Sequence, residues 1–307
     1  MYRKLNIKIL AIIFTILLVV VVLTEMADFR KGGRTFRENL VDVNPDEVTA
    51  FEISPKVEGN KVIKLIREND LWFVESDDER YRADQSLPSS MINELNTLKP
   101  ESVVATEDER HEQYEVTDSL GTRVRLFSGS NLLADLIIGK FSFSQPQKMT
   151  SYVRLKGDDV IYGVDGMLGM SFNRDLDSFR DRTVIKSNSS DWNRLVFSYP
   201  ADSSFTLEKA GEGWTAGGQP ADSASVAKYF NSLQNLTDSR FAESKANISA
   251  THKLVIEGNN SMEPIEITGY CPGDGSFIVE SSHNKGNVFE SNELAEKIFI
   301  SSSELLK

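Results

Sequence analysis

Two aspartates stand at matching places in this chain, Asp84 and Asp222, each preceded by an alanine and followed by an apolar stripe. Facing carboxylates can do acid/base work. A carboxylate at the head of a helical stripe has a plainer use, accepting the free N–H groups of the first turn, and the matching placement favours that capping role. Trp72 and Trp214 could stack a ligand. Each sits on a strand-like stretch in front of the amphipathic segment, the position of that segment's hydrophobic partner. The three histidines, His111, His252 and His283, are far apart. His111 lies in the charged run DERHEQ, expected to be solvated, and His283 in a Ser/Asn/Gly turn. Pairing either with a Ser or an Asp for nucleophilic catalysis has no local support.

The remaining short motifs fail their own context tests. GEGWTA at 211–216 echoes a dinucleotide loop but leads into a strand and a glycine turn instead of a helix. PGDGS at 272–276 reads as a turn, and its aspartate lacks the further carboxylates of a calcium loop. No nucleophile elbow, Walker loop, HExxH or CxxC pattern occurs. Cys271 is the only cysteine, so neither an internal disulfide nor a thiolate cluster can form. The sequence thus assigns no catalytic, cofactor-binding or metal-ligating residue and calls for no cofactor. One charged stretch, 175–184 (DLDSFRDRTV), reads equally as a docking surface or as a solvated connector.

Composition sets the class. The chain has 307 residues, 40% hydrophobic and 26% charged, as in ordinary globular proteins. A net charge of −12 opposes a nucleic-acid partner and broad docking onto anionic headgroups.

Behind those residues the chain repeats itself. In the first half, 48–53, 62–66 and 71–74 alternate like strands, and in the second 194–199, 205–208 and 214–216 do the same. Counted from Asp84, positions +7, +8, +11 and +14 are Met91, Ile92, Leu95 and Leu98. From Asp222 they are Tyr229, Phe230, Leu233 and Leu236, one helical stripe in one register twice. At +19, Val103 and Phe241 each open a further strand. The strands at 122–127, 132–139, 151–155 and 160–164 match those at 252–256, 264–269, 276–280 and 287–289, which puts Gly139 and Gly269 at equivalent strand ends. Weaker helical segments at 166–179 and 291–300 close the copies. The expected fold is α+β: an N-terminal transmembrane helix, then a tandem duplication of a mostly antiparallel sheet-plus-helix unit. The expected domains are a tail and anchor at 1–26, a juxtamembrane linker at 27–46, and repeats at 47–186 and 191–307.

The anchor is the uncharged run at 9–23, which Leu5 and Ile7 extend to about 19 positions, near the ~20 that a spanning helix needs. Lys8 can snorkel. Arg3, Lys4 and Lys8 precede the run and Glu25 and Asp28 follow it, which favours a cytoplasmic N-terminus, although Arg30, Lys31, Arg34 and Arg37 come soon after.

The chain resembles the bacterial family called domain of unknown function 4340. The resemblance lies in the N-terminal anchor, in Trp72 with Ala83 and Asp84, and in LIIGK at 136–140. It continues through YVR at 152–154, IYGVD at 161–165 and FRDRTV at 179–184. The second copy departs from it, with Tyr270 where the first has Lys140. What the resemblance implies is an envelope protein of the kind encoded beside ABC-2 type permeases and gliding-motility-type auxiliary proteins, with no enzymatic activity attached. The expectation is a non-enzymatic accessory subunit of such a transport system in the bacterial inner membrane. It is single-pass, with a periplasmic C-terminal domain that binds partner proteins or substrate. The alternatives are an envelope hydrolase or carbohydrate-active enzyme with an unrecognised carboxylate site, and a scaffold or ligand-binding module.

Overall fold

Alternating side chains with tight turns between them build two large antiparallel sheets and one two-stranded ladder among the described residues. The structure, a computed structural model, describes residues 38–306 apart from 78, 145–147, 244–247, 260–261 and 273–275. The span expected at 9–23 and most of the PGDGS turn lie outside the described residues. Among the described residues no helix is long and apolar enough to cross a membrane.

The first sheet contains β1 (Ala50–Ser54), β2 (Ile63–Glu68), β3 (Leu71–Ser76), β4 (Glu79–Arg82), β5 (Pro100–Ala105), β6 (Thr122–Ser128), β7 (Asn131–Ser144), β8 (Lys148–Leu155) and β9 (Ile161–Asp165). Its order is β4-β3-β2-β1-β6-β7-β8-β9-β5. Helix α1 (Leu87–Asn96) follows β4, and a short α2 (Gly169–Phe172) follows β9. After β10 (Thr183–Lys186) come β11 (Trp192–Ser198), β12 (Phe205–Ala210), β13 (Gly213–Ala216), β14 (Gln219–Pro220), helix α3 (Ser223–Leu233) and β15 (Asn235–Thr237). The chain ends with β16 (His252–Gly258), β17 (Ile265–Tyr270), β18 (Ile278–Ser281), β19 (Val288–Glu290) and helix α4 (Asn292–Ile298). The second sheet runs β14-β13-β12-β11-β16-β17-β18-β19, which is the first sheet's order strand for strand except for β5. The fold is α+β and sheet-rich.

Local chemistry accounts for the elements. Asn69 and Asp70 both take positive φ, the geometry of a two-residue hairpin turn that matches strand twist, and they join β2 to β3. Met91, Ile92 and Leu95 are buried on α1, and Tyr229, Phe230 and Leu233 on α3, so the shared stripe faces a core in each half. Each large apolar side chain so buried contributes about 1.5–3 kcal/mol. The two cores are separate, one around Phe51, Leu65 and Phe172, the other around Trp192, Phe197 and Phe289. A third small cluster, Val116 with Ile137 and Ile161, lies under Tyr114 and Tyr152.

Several expectations need correction. The linker expected at 27–46 is not free to its end: Leu40 and Val41 are buried in the first core, and Asn96 brackets Val43 through both backbone groups at 3.0 and 2.7 Å. Gly139 is inside β7, not at its end, because the alternation runs on to Ser144. A Cβ at Gly139 would collide with the Tyr114 carbonyl oxygen. Phe241 opens no strand and holds β19 through a single bridge to Phe289. Residues 183–186 do not belong with the first repeat: β10 pairs with β15, and Val184 and Ile185 are buried in the second core.

Candidate functional site

The departure between the two halves is where a site forms. In the first unit the strand after the helix, β5, pairs with β9 over several rungs. In the second, the chain after α3 first turns aside to pair with β10, and only then reaches β19 at Phe241. A cleft of about 420 Å³ lies beside that shortened ladder, lined from both units.

Arg180 is the centre of it. Its side chain is 4% exposed, and its guanidinium carbon lies 3.6 Å from the ring centre of Tyr81 on β4 and 3.8 Å from that of Phe241. One ring comes from each unit, so the cation is stacked across the junction. Nε donates to Asn287 Oδ1 at 2.8 Å and Nη1 to Asp177 Oδ1 at 2.9 Å. Nη2 is buried and has no hydrogen-bond acceptor among the described residues.

The polar chain continues behind Arg180. Asn287 donates to the Arg82 carbonyl at 3.0 Å and to Asn284 Oδ1 at 2.8 Å, and Asn284 donates to the carbonyls of Asp181 and Thr183 at 2.6 and 2.9 Å. Both asparagines are fully buried, with their amide donors satisfied inside the protein. Arg82 Nε sits 3.4 Å from Asp181 Oδ2, close enough for charge attraction but not aligned as a hydrogen bond.

Three glutamates, Glu243, Glu266 and Glu280, line the same cleft together with Lys285. Glu266 is ion-paired to Lys253 at 3.0 Å, and Glu280 accepts from the Tyr270 hydroxyl at 3.1 Å. The lining therefore offers donors at Arg180 and Lys285 and acceptors on the facing sheet, an arrangement suited to holding a polar ligand or peptide of mixed charge. A wider cleft of about 780 Å³, lined by Arg82, Asp84, Arg182, Lys186 and His283, shares Ser282 with the first.

The residues singled out from sequence fall as follows. Asp222 caps α3, accepting from Ser225 N at 2.9 Å. Asp84 does not cap α1. Ser86 holds that position, and Asp84 accepts from Ser86 N at 2.9 Å in a turn just ahead of the helix. Trp72 packs edge-on to Phe51 and Trp214 edge-on to Phe230, both as core partners. His111 is not solvated. It is buried, with Nε2 2.9 Å from the Asp159 carbonyl, where residues before β6 fold over the third cluster. His283 Nδ1 accepts from Lys186 N at 3.2 Å, and burial first, then the Arg82 charge, hold its pKa below the ordinary histidine value. His252 is likewise lowered by burial, among Tyr199, Phe277 and Phe299. The structure brings Asp84 and His283 to one cleft and leaves Asp222, His111 and His252 elsewhere. Among the described residues no group of three or more His, Cys, Asp or Glu is placed to hold a metal ion.

The resemblance motifs do structural work around this frame. Arg154 of YVR is buried and donates to the Val116 carbonyl at 2.8 Å. Gly163 of IYGVD lies where a Cβ would come within 2.8 Å of Ser102 Oγ. FRDRTV supplies Phe179 to the first core, Arg180 to the junction and Val184 to the second core.

The fold and site thus define a two-unit, sheet-rich protein locked at a buried arginine. The chain belongs to the family described as Domain of unknown function (DUF4340), whose model matches residues 72–254, a stretch running from Trp72 through the junction into β16. No curated protein and no solved structure matches the chain.

Proposed function

We propose that this protein is a membrane-anchored accessory subunit of an ABC-type, gliding-motility-like transport system, not an enzyme. Its two units are copies of one ancestral module, held in the periplasm by a span at 9–23 in the inner membrane. The junction cleft is its recognition site, for a partner chain or for the transported substrate. The observation that carries this reading is the Arg180 Nη2, buried in a cleft lined from both units and without an acceptor among the described residues. A buried donor left unpaired is worth about 1–3 kcal/mol to whatever oxygen reaches it. Support for the transport setting comes from the uncharged run at 9–23 and from the family resemblance.

Affinity purification of the full chain in mild detergent is the test. A permease or auxiliary membrane subunit should co-purify, and Lys285→Glu, at the cleft lining, should weaken its capture. Recovery of the intact chain without any transporter subunit would overturn the assignment. A hydrolase is the second reading, favoured by Glu243, Glu266 and Glu280 lining one cleft. Cleavage of envelope glycan that disappears in Glu243→Gln or Glu266→Gln would put it first.

A further inference from the structure

Strands β7 and β8 run beyond the sheet they belong to. One row of the first sheet passes through Pro100, Val164, Ser151 and Phe141, on β5, β9, β8 and β7 in turn. One rung past that row Asp165 still pairs with Thr150, and beyond it β7 and β8 continue as a two-stranded arm in which Phe143 faces Met149 and Ser144 faces Lys148. Opposed residues share a face, as do residues two apart on a strand. Phe141, Phe143 and Met149 therefore lie on one face, the face that further in carries buried Val153 and Val164. Here nothing covers it within the described residues: the three are 54%, 58% and 38% exposed. Met170, 64% exposed, borders the same surface across a groove shared with Phe141.

The placement of the arm says what meets it. The backbone N–H of Leu40 bonds to the Leu98 carbonyl, two residues before Pro100. Three strand spacings of about 4.8 Å put Phe141 roughly 15 Å from Pro100. The chain thus joins the first unit at the end from which the arm projects. The 14 residues between the apolar run and Glu38 reach at most about 50 Å. Lysines bracket the arm, Lys140 with its Nζ 5.4 Å from the Tyr114 ring centre and Lys148 paired to Glu101 at 2.7 Å. Arg30, Lys31, Arg34 and Arg37 precede the same end. A second copy is the weaker occupant. The exposed parts of these side chains supply roughly 300 Å², against the ~800 Å² per partner of a standard interface.

We infer that the arm is a membrane-interface contact. Phe141, Phe143 and Met149 enter the headgroup–acyl boundary, and Lys140 and Lys148 lie at lipid phosphates. The chain's overall acidity opposes broad docking on lipid, so the contact is confined to this arm. The inference rests on the reading that 9–23 spans the bilayer.

The test uses the full chain in vesicles of phosphatidylethanolamine and phosphatidylglycerol, with Cys271→Ser removing the native thiol. A polarity-sensitive fluorophore is placed by Phe143→Cys, by Met149→Cys or, as a reference in the exposed turn between β11 and β12, by Ser203→Cys. Probes at 143 and 149 should be blue-shifted and quenched several-fold more than the probe at 203 by lipids spin-labelled near the headgroup. Equal quenching at 143 and 203, in protein that resists alkaline carbonate, overturns the arm contact and leaves the anchor standing. Release by carbonate removes the anchor and the arm contact together. A blue shift that rises with protein-to-lipid ratio and ignores the spin label identifies contact between copies and also overturns the inference.

Discussion

Replacing Arg180 by alanine should unlock the two units from each other. The substitution strips the Nε donor from Asn287 Oδ1, a buried acceptor whose loss is worth about 1–3 kcal/mol. It also removes stacking on Tyr81 and Phe241, about 1 kcal/mol for each ring at a desolvated site. The bond to Asp177 adds little, because that carboxylate is 53% exposed. Relief of the guanidinium's own desolvation offsets part of the loss, leaving about 3 kcal/mol. Since each unit has its own core, the loss falls on their coupling. Trp72 reports the first core and the fully buried Trp192 the second. In urea unfolding of single-tryptophan variants the two midpoints should coincide with Arg180 present and separate in Arg180→Ala. Arg180→Lys, which keeps the charge but lacks the planar fork, should fall between. Midpoints that still coincide in Arg180→Ala, with stability changed by less than about 0.5 kcal/mol, would refute the role of the arginine as a clamp.

Three further outcomes follow from particular contacts. Asp222→Ala should lower stability by about 1 kcal/mol and Asp84→Ala by less than half of that, because only Asp222 caps its helix; urea midpoints of the pair decide it. Gly139→Ala should cost about 1–3 kcal/mol or more in thermal unfolding, since the added methyl meets the Tyr114 backbone oxygen, which cannot swing aside. His283 has its folded pKa held below its ordinary value of 6.5, so below about pH 6.5 the unfolded chain takes up the proton first and stability falls as pH drops. Protonation would also remove the acceptor for Lys186 N. His283→Gln should therefore flatten the decline in urea midpoint between pH 7.5 and 5.5, and an unchanged slope would show that His283 does not contribute to it.

The strands and the two helices were legible because their signals are local. Period-two alternation names a strand wherever one face is buried, and the stripe at +7, +8 and +11 needs no distant partner to be seen. The strand order is not such a signal, because β1 pairs with β6 and β5 with β9 across long stretches of chain. The site was not legible. Arg180 looks like one charge among many in 175–184, because the partner of its Nε is 107 positions away. Asn284 and Asn287 have the composition of an exposed turn, yet both are buried, Asn284 donating to the carbonyls of Asp181 and Thr183 and Asn287 to that of Arg82. His111 was misplaced for a related reason: a charged run can still bury one side chain when its neighbours point outward. The arm did leave a trace, the apolar–polar alternation of FSFS at 141–144, which a strand ended at Gly139 passes over.

The ladder between β10 and β15 also bears on how the chain is made. Val184 and Ile185 are buried only once β15, about fifty residues later, has appeared, and Arg180 waits longer still, until Asn287 arrives. At about 5–20 residues per second, synthesis leaves the arginine without its Nε acceptor for roughly 5–20 s after it emerges. The first unit can close early, while the short apolar strand behind it stays bare and ready to pair with the wrong edge. Completion of the second sheet ends that interval, so a chain truncated before β19 should be the one that quality control removes.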